Sequence, residues 1–180
     1  RPHVDRANPI LALIGSPTEL TKLQSDRLES QSGVDLITVD DPASDVSQLL
    51  SRLRASAEIG KTVIGIRTTS RDGSAPDPLH ASQMLALIID LAVECADSMQ
   101  FDGIYASGGD VAFAVLDALG ARGYEVENEV VPLAVSGKLV GGPHDGLGFA
   151  TKGGLVGDAD AAVECINQLR SRIRQSEPRI

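Results

Sequence analysis

The sequence predicts an α/β fold, a three-layer α/β/α sandwich around a mixed, mainly parallel sheet. Three observations predict it. Short apolar runs alternate with longer amphipathic stretches along the whole chain. Strands separated in this way by helices pair in parallel through right-handed crossovers, which puts helices on both sheet faces. Glycine is abundant, 18 of 180 residues or about 10% against a usual ~7%, and it gathers where strands end. A chain of 180 residues is long enough for one well-buried domain. That domain is expected over 9–176, between a linker or N-terminal tail (1–8) and a C-terminal tail (177–180). The first residue is Arg1 rather than Met, so the tail reads as a trimmed N-terminus or as the end of something upstream.

Each element has its own signal. Ile10 to Ile14 is a buried strand closed by Gly15. Leu20, Leu23 and Leu28 recur at helical spacing, and Val34 to Val39 is a second strand. Val46, Leu49, Leu50, Leu53 and Ala57 form a helical stripe, and Thr62 to Ile66 a third strand. Asp77-Pro78 starts a helix running to about Ala96, because proline is tolerated in a first turn. Its centre is apolar on every side, which places it deep in the fold. Gly103 to Ala106 is a fourth strand, and Val111 to Leu119 a helix ended by Gly120. Glu125 to Val130 alternates charged and apolar side chains, as a half-exposed strand does. Val135 to Val140 and Leu147 to Ala150 are further strands. A last helix from about Asp158 to Arg174 carries Ala161, Ala162, Cys165, Ile166, Leu169 and Ile173 on one side.

Composition excludes several classes of function. The net charge is −9, and only 5 residues are aromatic (Phe 3, Tyr 2, Trp 0). Such a surface suits neither phosphate backbones nor stacked bases, so no nucleic-acid partner is expected. No apolar run exceeds the 6 residues of Met84 to Ile89, against the ~20 that cross a bilayer, so no membrane association is expected. Cys95 and Cys165 make no disulfide scaffold and read as packed thiols on helix faces. His3, His80 and His144 are scattered, so no zinc site is expected. Arg170, Arg172 and Arg174 read as a solvated face near a helix C-terminus. The remaining class is a cytoplasmic α/β domain.

Three strand-to-helix junctions carry the chemistry. They are Gly15-Ser16-Pro17-Thr18, Ser107-Gly108-Gly109-Asp110, and Thr151 to Asp158 with Lys152, Gly153, Gly154 and Gly157. A helix N-terminus leaves amides unpaired at the positive end of its dipole. In an open parallel sheet such junctions line up along the carboxyl edge, where ligands bind. Backbone amides, the hydroxyls of Ser16, Thr18 and Ser107, and one cation at Lys152 suit a polyphosphate. Each junction taken singly is also explained by turn geometry and capping, with Asp110 and Asp158 as first-turn acids and Ser16 and Thr18 as caps. Standard motifs do not decide the matter. Ala55 to Thr62 nearly matches a phosphate-binding P-loop, but it precedes a strand, so Lys61 falls at the wrong edge. Neither G-x-G-x-x-G nor G-x-S-x-G occurs.

The run from Ala106 to Gly120 resembles the C-terminal nucleotide-binding domain of the four-carbon acid sugar kinases, whose members show G-G-[DE]-T before a small-residue helix ending in A-L-G. Val131 to Gly142 is similar to the family's following strand segment, and Thr151-Lys152 through Asp160 to its T-K-x-G-G-F-G-D ending. Gly15, Ser16, Thr18, Thr21 and Gln24 align with its G-S-x-S-x-x-T-x-x-Q element. The resemblance runs from about Ile10 to Leu169. It implies that ATP is held here, and that the sugar acid and the catalytic base belong to an N-terminal substrate-binding domain, supplied in cis or in trans. Val111 replaces the family's threonine, Leu155 a glycine and Val156 an aromatic residue. Leucine at 155 is expected to narrow the last loop.

Taken with the anion-site argument, the resemblance gives the amides of Gly108, Gly109, Gly153 and Gly154 to phosphates, with Gly157 in the same loop. Ser16, Thr18 and Ser107 add hydroxyls. Lys152 neutralises the transferring phosphoryl group or serves as an ion-pair partner. Asp110 holds Mg²⁺ or caps its helix. The leading expectation is the ATP-binding domain of a kinase for small sugar acids such as erythronate or 3-oxo-tetronates. A non-catalytic nucleotide or anion module with a degenerate phosphate site, and a purely structural or oligomerisation domain, stand beside it. The sequence leaves a homo-oligomer open.

Overall fold

All five residues of β1 (Ile10–Ile14) are buried, because this strand lies inside the sheet with helices on both faces. The computed structural model describes residues 7–15, 18–69 and 77–176, with side chains through Arg172. Ser16, residues 1–6 of the expected tail, 177–180 and the side chains of Ile173 and Arg174 lie outside the described residues. After β1 come α1 (Glu19–Glu29), β2 (Val34–Val39), α2 (Val46–Glu58), β3 (Val63–Thr68) and α3 (Pro78–Ser98). They are followed by β4 (Gly103–Ser107), α4 (Gly109–Ala118), β5 (Gly123–Val131), β6 (Ala134–Val140), β7 (Gly148–Lys152) and α5 (Ala161–Ser176).

One seven-stranded sheet has the order β2-β3-β1-β4-β7-β6-β5. The strands from β2 to β7 are parallel, and β6 and β5 add an antiparallel hairpin at one edge. The chain leaves β1 toward one side and returns through β2 and β3 to β4 on the other side. Right-handed crossovers therefore send α1 to one face and α2 and α3 to the opposite face. Two cores result. Leu11, Leu13, Ile64, Ile66 and Phe149 face α2, α3 and α4. Ile10, Ala12, Ile14, Tyr105 and Ala150 face α1 and α5. At the centre β1 and β3 approach so closely that a Cβ on Gly65 would stand 1.9 Å from the Ala12 carbonyl oxygen.

Three expectations need correction. The apolar centre of α3 is not buried all round: Met84, Leu87, Ile88, Leu91, Ala92 and Cys95 face the core, while Ala86 and Asp90 are exposed. At 21 residues α3 has the length and composition of a membrane span, and its inward face packs against this sheet. Leu23 of α1 is 53% exposed, and Thr21, Gln24 and Ser25 are buried with Leu28. The reason is local: the inward face of α1 meets loop carbonyls that need donors. Arg170 donates to the Thr62 hydroxyl (2.7 Å), and Arg172 pairs with Glu127 (2.8 Å), so these two pin α5 rather than forming a purely solvated face.

Candidate functional site

The carboxyl edge brings the three glycine junctions together through backbone hydrogen bonds. The Gly15 amide donates to the Ser107 carbonyl (3.2 Å), and the Gly108 amide to the Lys152 carbonyl (3.0 Å). The Thr18 and Thr21 hydroxyls both reach the Gly154 carbonyl, at 2.9 and 3.0 Å. The Gln24 side-chain amide donates to the carbonyls of Val156 (3.0 Å) and Asp158 (2.6 Å). Thr18, Thr21 and Gln24 recur at intervals of three along α1, so one helical face holds the whole β7–α5 loop. By contrast Lys61 lies at the amino edge, donating weakly to the Val34 carbonyl at 3.4 Å, as its position before β3 requires.

The start of α4 differs from those of its neighbours. Thr18, Asp45 and Asp77 cap α1, α2 and α3 with their side chains. Helix α4 begins instead on Gly108, with φ 110° and no side-chain cap. Such a φ is open to glycine and strained for other residues. The first amide bonded within the helix is that of Ala112, to the Gly108 carbonyl at 2.9 Å. The Gly109, Asp110 and Val111 amides thus lead the helix, where orphan donors and the dipole favour an anion. A Cβ on Gly109 would meet nothing within 4 Å, so the approach is open. These features fit a phosphate.

Behind the junctions lies a buried polar group on the α1 and α5 side. Ser107 and Lys152 are partners in the β4–β7 register, and each is at least 98% buried. The Lys152 ammonium donates to the Gly153 carbonyl (3.0 Å) and makes no ion pair with a described carboxylate. Burial lowers its pKa below the usual 10.5. The hydroxyls of Ser107 and Tyr105, on the same side of β4, lack a hydrogen-bond partner of normal geometry among the described residues. Burial pushes the Tyr105 hydroxyl up, and it pushes the Cys165 thiol up to about 12 against the opposing charge of Lys152. An uncompensated buried cation favours an anion nearby.

The other candidate residues fall as follows. Asp110 is exposed in the first turn of α4, and no group of three or more metal-ligating side chains occurs among the described residues. The Thr18 hydroxyl accepts the Thr21 amide as a helix cap besides reaching Gly154. Gly157, at φ 78°, turns the loop where a Cβ would crowd Ala161 at 2.5 Å. Leu155 is 77% exposed, so it projects outward and does not narrow the loop.

Sequence reasoning missed two features of this edge. The β5–β6 turn stands here because Ala134 pairs with Lys152, and its Leu133 is 78% exposed at φ 67°. A cavity of about 180 Å³ opens between the end of β3, α3 and α4, with Met84, Ile88, Asp110 and Val111 in its wall. The helix start at Asp77-Pro78 after β3 marks a fourth strand-to-helix junction on the same edge, and was its only signal in the sequence.

Open parallel sheets that present helix N-termini at the strand reversal between β1 and β4 define a class of nucleotide-binding α/β domains. Residues 11–162 match the family model described as nucleotide-binding C-terminal domain, and the chain belongs to this family, that of the four-carbon acid sugar kinases. It is similar to a D-erythronate kinase of Heliobacterium modesticaldum, with 35% identity over 96% of this chain and 44% of the relative. A D-threonate kinase of Salmonella typhimurium is 27% identical over 83% of this chain and 40% of the relative. A crystal structure of a domain of unknown function from Bordetella bronchiseptica, described as a domain-swapped dimer with bound citrate, superposes with a TM-score of 0.77. Its identity is 26%, over 91% of this chain and 41% of that one. A Haemophilus influenzae protein at 17% identity, covering 94% of this chain and 43% of that one, shares the fold with a TM-score of 0.71. The chain thus spans about two-fifths of the length of the curated relatives it matches.

Proposed function

We propose that this chain is the ATP-binding domain, expected over 9–176, of a cytoplasmic kinase that phosphorylates a four-carbon sugar acid of the erythronate or 3-oxo-tetronate type. The single observation that carries the reading is the uncapped start of α4, with three leading amides at the carboxyl edge of the sheet. When bound, Mg-ATP supplies the phosphoryl group and most of the counter-charge. The amides of Gly109, Gly153 and Gly154 position phosphates, whereas the Gly108 amide, contrary to the expectation from the sequence, is taken by the Lys152 carbonyl; Ser107 directs its buried hydroxyl to the same path. Lys152 adds positive charge from beneath, where low dielectric strengthens it. Asp110, exposed in the first turn of α4, would hold Mg²⁺ directly or through water. Phosphoryl transfer needs mainly such positioning and charge neutralisation. A substrate-binding domain, in cis or in trans, provides the sugar acid and its base, and a homo-oligomer is part of the proposal.

A second reading, nucleotide binding without transfer, is favoured by Val111, which puts a buried apolar side chain in the first turn of α4 where the resemblance expects a hydroxyl. Calorimetric titration with Mg-ATP, followed by transfer assays on D-erythronate with the substrate-binding domain supplied, separates the two. Binding with transfer is expected. Binding without transfer favours the module, and absence of binding at millimolar nucleotide overturns both.

A further inference from the structure

Tyr105 brings a phenol into a core cluster whose other buried members are aliphatic side chains and the Cys165 thiol. It is fully buried on the α1 and α5 side of β4, and its neighbours in register are Ala12 on β1 and Ala150 on β7. Two alanines leave room for a ring, and a phenylalanine would fill that room without a polar atom. A buried phenol needs a hydrogen bond or costs stability. Tyr124 shows the ordinary solution: on the other sheet face, its hydroxyl donates to the Phe149 carbonyl at 3.0 Å. Tyr105 has no such carbonyl among the described residues. Two residues further along β4, on the same side, stands Ser107, whose buried hydroxyl likewise lacks a partner of normal geometry among them.

The two hydroxyls complement one another. Burial pushes the Tyr105 pKa up, so the phenol keeps its proton and acts as a donor, while the Ser107 hydroxyl beside it opposes that rise. The serine oxygen is thus the acceptor within reach of the phenol. Contacts of this kind are often poorly aligned until the reacting group is bound, and tighten then. Lys152, in register with Ser107 on β7, can only donate, and it gives one proton to the Gly153 carbonyl. Ser107 therefore has donors for neighbours, and its own proton is left for an acceptor at the carboxyl end of β4. The amides that lead α4 favour an anion at that same end.

We infer that Tyr105 is a positioning residue for the phosphate site: its phenol donates to the Ser107 hydroxyl and turns the serine proton toward the bound phosphate. This rests on the nucleotide reading of the same edge. A double-mutant cycle tests it, read by calorimetry with Mg-tripolyphosphate, which isolates the phosphate contacts. Tyr105→Phe keeps the ring and is expected to weaken binding about fivefold. Ser107→Ala is expected to weaken it at least as much. Adding Tyr105→Phe to Ser107→Ala should weaken it no further, because a residue that acts through Ser107 then has nothing to orient. Tyr105→Phe binding as tightly as wild type, or losses that multiply in the double variant, overturns the role. A second readout needs no ligand. The chain has two tyrosines, and Tyr124, bonded to the Phe149 carbonyl, is the internal control. In isotope-labelled protein observed at the tyrosine ring carbon that bears oxygen, Ser107→Ala is expected to move the Tyr105 resonance and leave that of Tyr124 in place. A Tyr105 resonance that stays put overturns the hydroxyl pair, whatever tripolyphosphate does. Failure of the wild type to bind either Mg-ADP or tripolyphosphate overturns the nucleotide reading, and the positioning role with it, while a moved Tyr105 resonance still supports the pair.

Discussion

Glycines that look alike in the sequence carry unlike demands. Gly65 sits where β1 and β3 meet backbone to backbone, and a methyl there would stand 1.9 Å from the Ala12 oxygen. Gly65→Ala should cost about 3 kcal/mol or more, read as a lowered urea midpoint. Gly108→Ala should cost about 1–2 kcal/mol, because φ 110° is strained for alanine. Gly109→Ala, facing open space, should change stability by no more than about 0.5 kcal/mol while weakening Mg-ADP in calorimetry. Lys152 makes a prediction of opposite sign. Its folded pKa is lowered, so between that value and the usual 10.5 the unfolded chain holds more protons and stability rises with pH. Lys152→Met should therefore be more stable than wild type at neutral pH, with the gap closing as pH approaches 10.5. Urea midpoints of the two proteins at matched pH check this, and the tyrosine titrations common to both cancel. The sequence marked Lys152 as the cation of the site. It could not show that the side chain turns under the loop, because that depends on which strand lies beside β7.

At the scale of elements, α1 is where local pattern and final packing part company. A leucine stripe was legible, yet Leu23 faces solvent and Gln24 is buried, because the neighbour of α1 is a loop of carbonyls. Gln24→Leu would fit the helix and leave the Val156 and Asp158 carbonyls without their donor. It should cost about 1–3 kcal/mol in urea unfolding and raise amide exchange across residues 153–158. Thr18→Ala, which removes a cap as well as a tie to Gly154, should cost about 1 kcal/mol by the same measurement. Other elements were legible because their signals are local. Among the described residues, the seven strands and five helices stand within a few residues of their apolar runs. Asp45 and Asp77 cap their helices as short-range chemistry dictates. The left-handed Leu133 was not legible, since a strained, exposed leucine in a turn obeys no local preference.

For the whole molecule, the two cores control access to its thiols. Cys95 and Cys165 are fully buried, and burial pushes both pKa values up to about 12. Neither should react with a thiol reagent in the native chain, and both should label in urea, followed by mass spectrometry. The same scale governs activity. This chain alone should bind Mg-ADP yet transfer no phosphoryl group to D-erythronate until the substrate-binding domain is added, as a coupled assay would report. By itself the sequence determined the α/β class, the element order, the glycine junctions and the family resemblance, because periodicity, capping and motif spacing are short-range properties. Only the tertiary structure decided that the β5–β6 turn joins the carboxyl edge, that Lys152 is buried without a described carboxylate, and that a cavity opens beside α4. Those outcomes follow from strand order and crossover hand, which bring together residues far apart in the chain.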